Sequence, residues 1–262
     1  MAQVFAIVNQ KGGVGKTTTT LNLGAYLAAA GKRVLIVDLD PQANATSGLG
    51  IDHRSITAGL YEVLTGDHSA QDVRIKTPHE GLHLLPTGQN LAGASIELVG
   101  REHREFRLAQ CLEAIVGEYD YVLIDCPPSL GILTLNGLVA ADKVIIPVQA
   151  EYYALEGLGQ LLHTIHLVKE NLKPELDVSG AVITMYDTRT NLSKDVLTEL
   201  YKHFPNKIFR SVIPRSVRLA EAPSFGQTIL GYDPGCKAAR AYERLTHEFL
   251  LRDEENTHTQ TV

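Results

Sequence analysis

The chain of 262 residues has no tryptophan, two methionines and three cysteines, and only 6% of it is aromatic. Cys111, Cys126 and Cys236 are odd in number and far apart. That usage excludes a disulfide framework, offers no zinc-ligand or paired cluster-cysteine spacing, and points to a reducing compartment. No apolar run is long enough to cross a bilayer, and residues 4–8 are too short and lack the preceding basic region of a secretory leader. Low-complexity tracts, internal repeats and Pro/Gly/Ser-rich linkers are absent as well. Positive charge is in deficit, with 24 Lys/Arg against 30 Asp/Glu and a net charge of −6, which excludes a uniformly basic coat for nucleic acid. His53, His79, His83 and His103 show no ligand spacing. With 44% apolar residues, the chain is sufficient for one α/β domain or two small ones.

The strongest stretch present is Gln10-Lys11-Gly12-Gly13-Val14-Gly15-Lys16-Thr17-Thr18. The apolar run Val4-Phe5-Ala6-Ile7-Val8 ahead of it reads as a buried parallel strand, and the Leu/Ala-rich run that follows, closed by Gly31, reads as a helix. Strand, glycine loop and helix start make a phosphate cradle, because backbone N–H groups and the helix N-terminus both favour an anion. Lys16 reaches the β- and γ-phosphates in such a loop, and the Thr17 hydroxyl holds Mg²⁺. The usual P-loop glycine five residues before Gly15 is replaced by Gln10, and a second lysine, Lys11, sits inside the loop.

Two further strands end in acids. Arg33-Val34-Leu35-Ile36-Val37-Asp38-Leu39-Asp40-Pro41-Gln42 places Asp38 and Asp40 at a carboxyl end, where ligands bind in open α/β sheets. Asp40 is set either to orient a water on the γ-phosphate or merely to cap the next turn; residues 41–50 read as a switch loop. Tyr121-Val122-Leu123-Ile124-Asp125-Cys126-Pro127-Pro128 has the form of a Walker B strand, so Asp125 holds Mg²⁺ directly or through water, and the two prolines open a second switch.

Elsewhere the pattern predicts short helices over residues 56–64 and 193–203, a longer one over 96–116, another that residues 151–157 lead into and that runs through Lys169, strands over 82–86, 143–148, 180–185 and 208–214, and a last helix over 237–251. Arg101, Arg104 and Arg107 read as a solvated face. Strands alternate with helices throughout, which predicts one doubly wound, mostly parallel α/β sheet with helices on both faces. The expected division is one phosphate-loop domain over residues 1–251 and a polar, flexible tail over 252–262. Charge is uneven: residues 189–244 carry ten Lys/Arg against five Asp/Glu, a balance of +5 inside an acidic chain. This is either a local basic surface or a set of solvated helix faces.

The loop KGGVGKTT resembles the deviant Walker A motif of the ParA/MinD-type ATPases. With NQKGGVGKTTT, VDLDPQANATSGLG, YVLIDCPPSLG, VIPVQAEYYALEGL, TMYDTRTNLS and VIPRSVRLAEAPSFG, the resemblance covers nearly the whole chain and is to the chromosomal ParA (Soj) branch of bacterial partition ATPases. The resemblance implies ATP and Mg²⁺ as cofactors and a homodimer that forms on ATP binding. It implies non-specific binding of double-stranded DNA, hydrolysis stimulated by a ParB-like centromere-binding protein, and a cytoplasmic, nucleoid-associated location. It also implies that Gly12, Gly13, Val14, Gly15, Lys16, Thr17 and Thr18 wrap the phosphates and that Lys11 acts across the dimer. Asp40 positions the attacking water, Pro214 and Arg215 lie near the adenine, and Arg189 and Arg218 lie on the DNA-binding face. Lys194, Lys202, Lys237 and Arg240 are secondary candidates there. The chain starts close to the P-loop strand, so no N-terminal helix-turn-helix is expected. A MinD-like membrane switch needs a basic amphipathic C-terminal helix, whereas residues 253–258 are acidic and polar. An iron–sulfur ATPase needs paired cysteines, which are missing.

Overall fold

The computed structural model describes residues 2–151, 156–187, 189–190, 196–198, 200–202, 204–205 and 207–259. Seven strands form one sheet: β1 (Gln3–Ile7), β2 (Val34–Asp38), β3 (Ile75–Lys76), β4 (Leu82–Leu85), β5 (Tyr121–Asp125), β6 (Lys143–Gln149) and β7 (Asp177–Thr184). Their order is β3-β4-β2-β5-β1-β6-β7. Every pairing is parallel except β3 with β4. β2 and β5 are buried along their whole length, as strands covered on both faces must be.

Period-two alternation divides the core. Val4, Ala6 and Val8 face one cluster, packed under α3 (Leu60–Thr65), α5 (Leu91–Glu97), α6 (Arg107–Glu113), α7 (Ile132–Ala140) and α8 (Glu156–Asn171). Phe5 and Ile7 face the other, against α1 (Lys16–Ala29) and the last helix, α11 (Lys237–Thr259). Shorter helices are α2 (Asn44–Gly48), α4 (Ala70–Val73), α9 (Val217–Glu221) and α10 (Ile229–Tyr232). Gly50 and Gly226, at φ 80° and 64°, bring the exit of α2 against the turn before α10, where a Cβ on Gly226 would stand 2.5 Å from the Gly50 Cα. Among the described residues no helix is long and apolar enough to cross a membrane.

Four expectations change. Residues 208–214 do not form a full strand; they meet β7 and its extension at isolated bridges of Ile208 and Pro214 and through Ile213 N donating to Ile183 O (2.8 Å). The carboxylate of Glu248 on α11 accepts the N–H groups of Arg210 (2.7 Å) and Ser211 (2.9 Å), which draws the middle of the segment off the sheet. The helix expected over 96–116 is broken between α5 and α6, with His103 in the left-handed region at φ 53°. Arg101, Arg104 and Arg107 are not a solvated stripe. Arg101 and Arg107 donate to the carbonyls of Thr65 (2.6 Å) and Leu64 (3.1 Å) at the end of α3, and Arg104 donates to Val99 O (2.8 Å). Finally, residues 252–259 are helical rather than a loose tail. Asp253 is buried because its carboxylate accepts from Tyr121 Oη and Lys143 Nζ, each at 3.0 Å. The helix predicted over 193–203 lies partly outside the described residues, as does Lys194.

Candidate active site

The phosphate loop hangs between β1 and α1. Asn9 holds its entrance, donating from Nδ2 to Pro147 O (2.7 Å) and accepting from Lys11 N (3.0 Å) at Oδ1. Gly13 and Gly15 take φ of 74° and 88°, a turn that residues with a Cβ enter at a cost. Thr184 Oγ1, at the end of β7, donates to Val14 O (2.7 Å) and props the loop from below. α1 then starts at Lys16 with no acidic residue in its first turn, so its positive end is uncompensated. Lys16 is buried, and its Nζ donates to Lys11 O (3.3 Å). Burial lowers its pKa, while the charges of Asp125 and Asp40 oppose that shift.

Parallel pairing puts Asp38 beside Asp125 at the carboxyl ends of β2 and β5. Thr17 Oγ1 donates to Asp125 Oδ2 (2.7 Å) and Thr20 Oγ1 to Oδ1 (3.2 Å). Burial, reinforced by the charge of Asp38, raises the Asp125 carboxyl to about 8. Burial likewise raises Asp38 to about 6, against the hydrogen bonds it accepts from Thr46. Asp40 is 7% exposed and accepts from Gln42 N (2.9 Å). Two buried acids, Asp125 and Asp40, thus act on one buried lysine, with Asp38 beside them. Among the described residues no group of three or more His, Cys, Asp or Glu is arranged to hold a metal unaided. The oxygen pair of Thr17 and Asp125 fits a hard divalent cation that completes its shell with phosphate oxygens and water. Thr17 and Thr18 also line a cleft of about 420 Å³ that runs past Asn22 to Asn44, Ser47 and Gln227, uncharged throughout.

Lys11 takes a different course from Lys16. Its Nζ lies 3.3 Å from Glu151 Oε2, and Arg215 approaches the other oxygen of Glu151 at 3.6 Å. Pro214 and Arg215 are fixed beside β7 by the bridge between Tyr186 and Pro214 and by Arg215 N donating to Tyr186 O (3.3 Å). Arg189 is exposed and paired with Asp187 (2.6 Å), whose carboxyl it holds down at about 2. Arg218 pairs with Glu221 (3.3 Å) and Asp233 (3.6 Å), and its guanidinium lies 6.0 Å from the Tyr232 ring centroid. The structure therefore brings together Lys16, Thr17, Asp40 and Asp125, and brings Lys11 to Arg215 through Glu151. Arg189 and Arg218 both carry acidic partners. Sequence reasoning missed Glu151, Thr184 and the anchoring contacts of Asp38. For Asp38 the signal was present, as an acid closing a strand of otherwise apolar residues.

A family model described as an AAA domain matches residues 2–178. The sporulation initiation inhibitor protein Soj of Bacillus subtilis is 53% identical over 95% of this chain and 98% of its own. The chromosome-partitioning ATPase Soj of Treponema pallidum is 49% identical over 97% and 99% of the two chains. A solved structure from Mycobacterium smegmatis, named cobyrinic acid a,c-diamide synthase and holding an ATP analogue and magnesium, superposes with a TM-score of 0.86. It is 41% identical, covering 97% of this chain and 96% of that one. A deviant phosphate loop, an acid-ended strand on each side of β5's pairing with β2, and near full-length identity of about half agree on one assignment: the chain belongs to the ParA/Soj family of chromosome-partitioning ATPases.

Proposed function

We propose that the protein is an ATP-driven dimerisation switch that binds DNA without sequence preference and hydrolyses ATP when a ParB-like partner engages it, so that replicated origins are moved or positioned. The observation that carries this reading is the course of Lys11. Its main-chain carbonyl serves the home loop, yet its ammonium group leaves that loop for Glu151. A lysine so placed is free of its own cradle and suited to a nucleotide on a second copy. Gly12 agrees with this: a Cβ there would meet nothing within 4 Å in its own chain. One ATPase domain carries these parts, and the helix running to Thr259 belongs to it.

ATP and Mg²⁺ are the ligands the site suits. Gly12, Gly13, Val14, Gly15, Lys16, Thr17 and Thr18 wrap the phosphates, and Thr17 and Asp125 hold the metal. When bound, Mg²⁺ supplies charge neutralisation on the phosphate oxygens. Lys16 sits desolvated, so its charge acts on the γ-phosphate at low dielectric. Asp40, held by Gln42 N, orients the attacking water. Pro214 and Arg215 contact the nucleobase. Arg189 and Arg218 meet DNA phosphates after exchanging their carboxylate partners for them; pairing two subunits roughly doubles those contacts and makes binding follow nucleotide state. The location is the cytoplasm, on the nucleoid.

The test is a DNA-binding titration with ADP, ATP and a non-hydrolysable analogue, beside sedimentation of Gly12→Val. Tight DNA binding with ATP and with the analogue but not with ADP, and a folded Gly12→Val monomer that still binds ATP, are expected. A Gly12→Val protein that dimerises normally sinks the sandwich reading.

A further inference from the structure

Asp38 is wholly buried at the end of β2, level with Asp125, yet it serves different partners. Its Oδ2 accepts from both the N–H (2.7 Å) and the hydroxyl (2.6 Å) of Thr46. Its Oδ1 accepts from Asp40 N (3.3 Å). The ring is closed by Thr87, at the end of β4: Thr87 N donates to Thr46 Oγ1 (3.0 Å) and Thr87 Oγ1 donates to Asp38 O. Thr46 and Thr87 are both wholly buried. One carboxylate therefore grips both ends of the segment 40–46. Within that segment Ala43 is left-handed at φ 54°, a conformation that is strained for an L residue and survives only where the surroundings enforce it. The same segment supplies Gln42 N, which holds the Asp40 carboxylate (2.9 Å).

We propose that Asp38 is a positioning residue for ATP hydrolysis: its carboxylate clamps Asp40 N and Thr46 and thereby fixes where Asp40 presents its own carboxylate to the attacking water. This rests on the role given to Asp40 above. Asp38 touches neither phosphate nor water in this scheme. Replacing it with asparagine turns one carboxylate oxygen into a donor, which then opposes the N–H of either Thr46 or Asp40, so the loop loses its closure at one end while the phosphate cradle keeps all its parts.

The experiment is steady-state ATPase kinetics on the whole protein, with ATP binding and thermal melting measured in parallel. Asp38→Asn is expected to lower kcat about tenfold or more with little change in KM for ATP, the pattern of a contact that matters only in the transition state. Thr46→Val removes only the clamped hydroxyl and is expected to lower kcat in the same direction; Thr46→Ser restores most of the loss. Thr46→Val carries the test if Asp38→Asn does not fold. A folded Asp38→Asn or Thr46→Val protein with wild-type kcat, or one altered only in KM, overturns the proposal. Asp40→Ala, run alongside, separates the two layers. Wild-type turnover in that variant removes the reading of Asp40 itself, whereas slow Asp40→Ala with normal Asp38→Asn removes only the clamp.

Discussion

Asp125→Asn is expected to stabilise the ligand-free protein at alkaline pH while abolishing Mg²⁺-dependent hydrolysis. In the folded chain burial and Asp38 raise the Asp125 carboxyl from 3.8 to about 8. Between those values the unfolded chain is ionised and the folded chain holds a proton, so folding takes one up. Stability is therefore greatest below about pH 4 and is lost as pH rises through about 8. Each pH unit in that window is worth at most about 1.4 kcal/mol, a ceiling of roughly 6 kcal/mol that Asp125 shares with its coupled neighbour Asp38. A realistic gain for asparagine, which stays neutral and keeps contacts with the hydroxyls of Thr17 and Thr20, is about 2–4 kcal/mol at pH 8. Urea unfolding of both proteins in EDTA at pH 5, 6, 7 and 8 measures it. The advantage of the variant must widen steadily with pH. An advantage equal at pH 5 and pH 8 would show that Asp125 is ionised in the folded chain and refute the reasoning.

Gly226→Ala and Gly31→Ala form a matched pair, both at positive φ. Only Gly226 has backbone within 2.5 Å of the new Cβ, so urea titration should show a loss of about 1 kcal/mol for Gly31→Ala and about 2–4 kcal/mol for Gly226→Ala. Asp253→Ala leaves the Tyr121 hydroxyl and the Lys143 ammonium without their carboxylate and is expected to cost about 1–3 kcal/mol, read as a lower urea midpoint. Arg189→Ala or Arg218→Ala should weaken binding to all DNA sequences alike and lower the slope of log K against log salt by about one per lost phosphate contact, with ATP binding intact. Unchanged affinity at low salt in the double variant would place the DNA surface elsewhere.

The parts of the site that are local in sequence were legible before any coordinates. Glycines at positive φ and a helix starting at Lys16 define the loop, and the acids at the ends of β2 and β5 lie where parallel sheets put their ligands. What sequence could not reveal depends on long-range pairing. The bond of Lys11 to Glu151 spans 140 positions, and the clamp on Thr46 needs Thr87 from the loop after β4. The segment 208–214 misled because apolar alternation looks the same whether its N–H groups face a strand or the carboxylate of Glu248. Arg101 and Arg107 misled for a related reason: a charge pattern does not disclose which carbonyls lie within reach.

The anchoring of Asp253 has a practical meaning for imaging and immobilisation. Its partners, Tyr121 and Lys143, open β5 and β6, whereas the phosphate loop follows the carboxyl end of β1 between them. The five residues of β5 separate the two edges by roughly 16 Å. A fluorophore or surface tether joined to the end of this helix is therefore expected to leave from the edge opposite the phosphate loop. Labels placed there can report where the molecule is without touching the loop that holds Lys16 and Thr17.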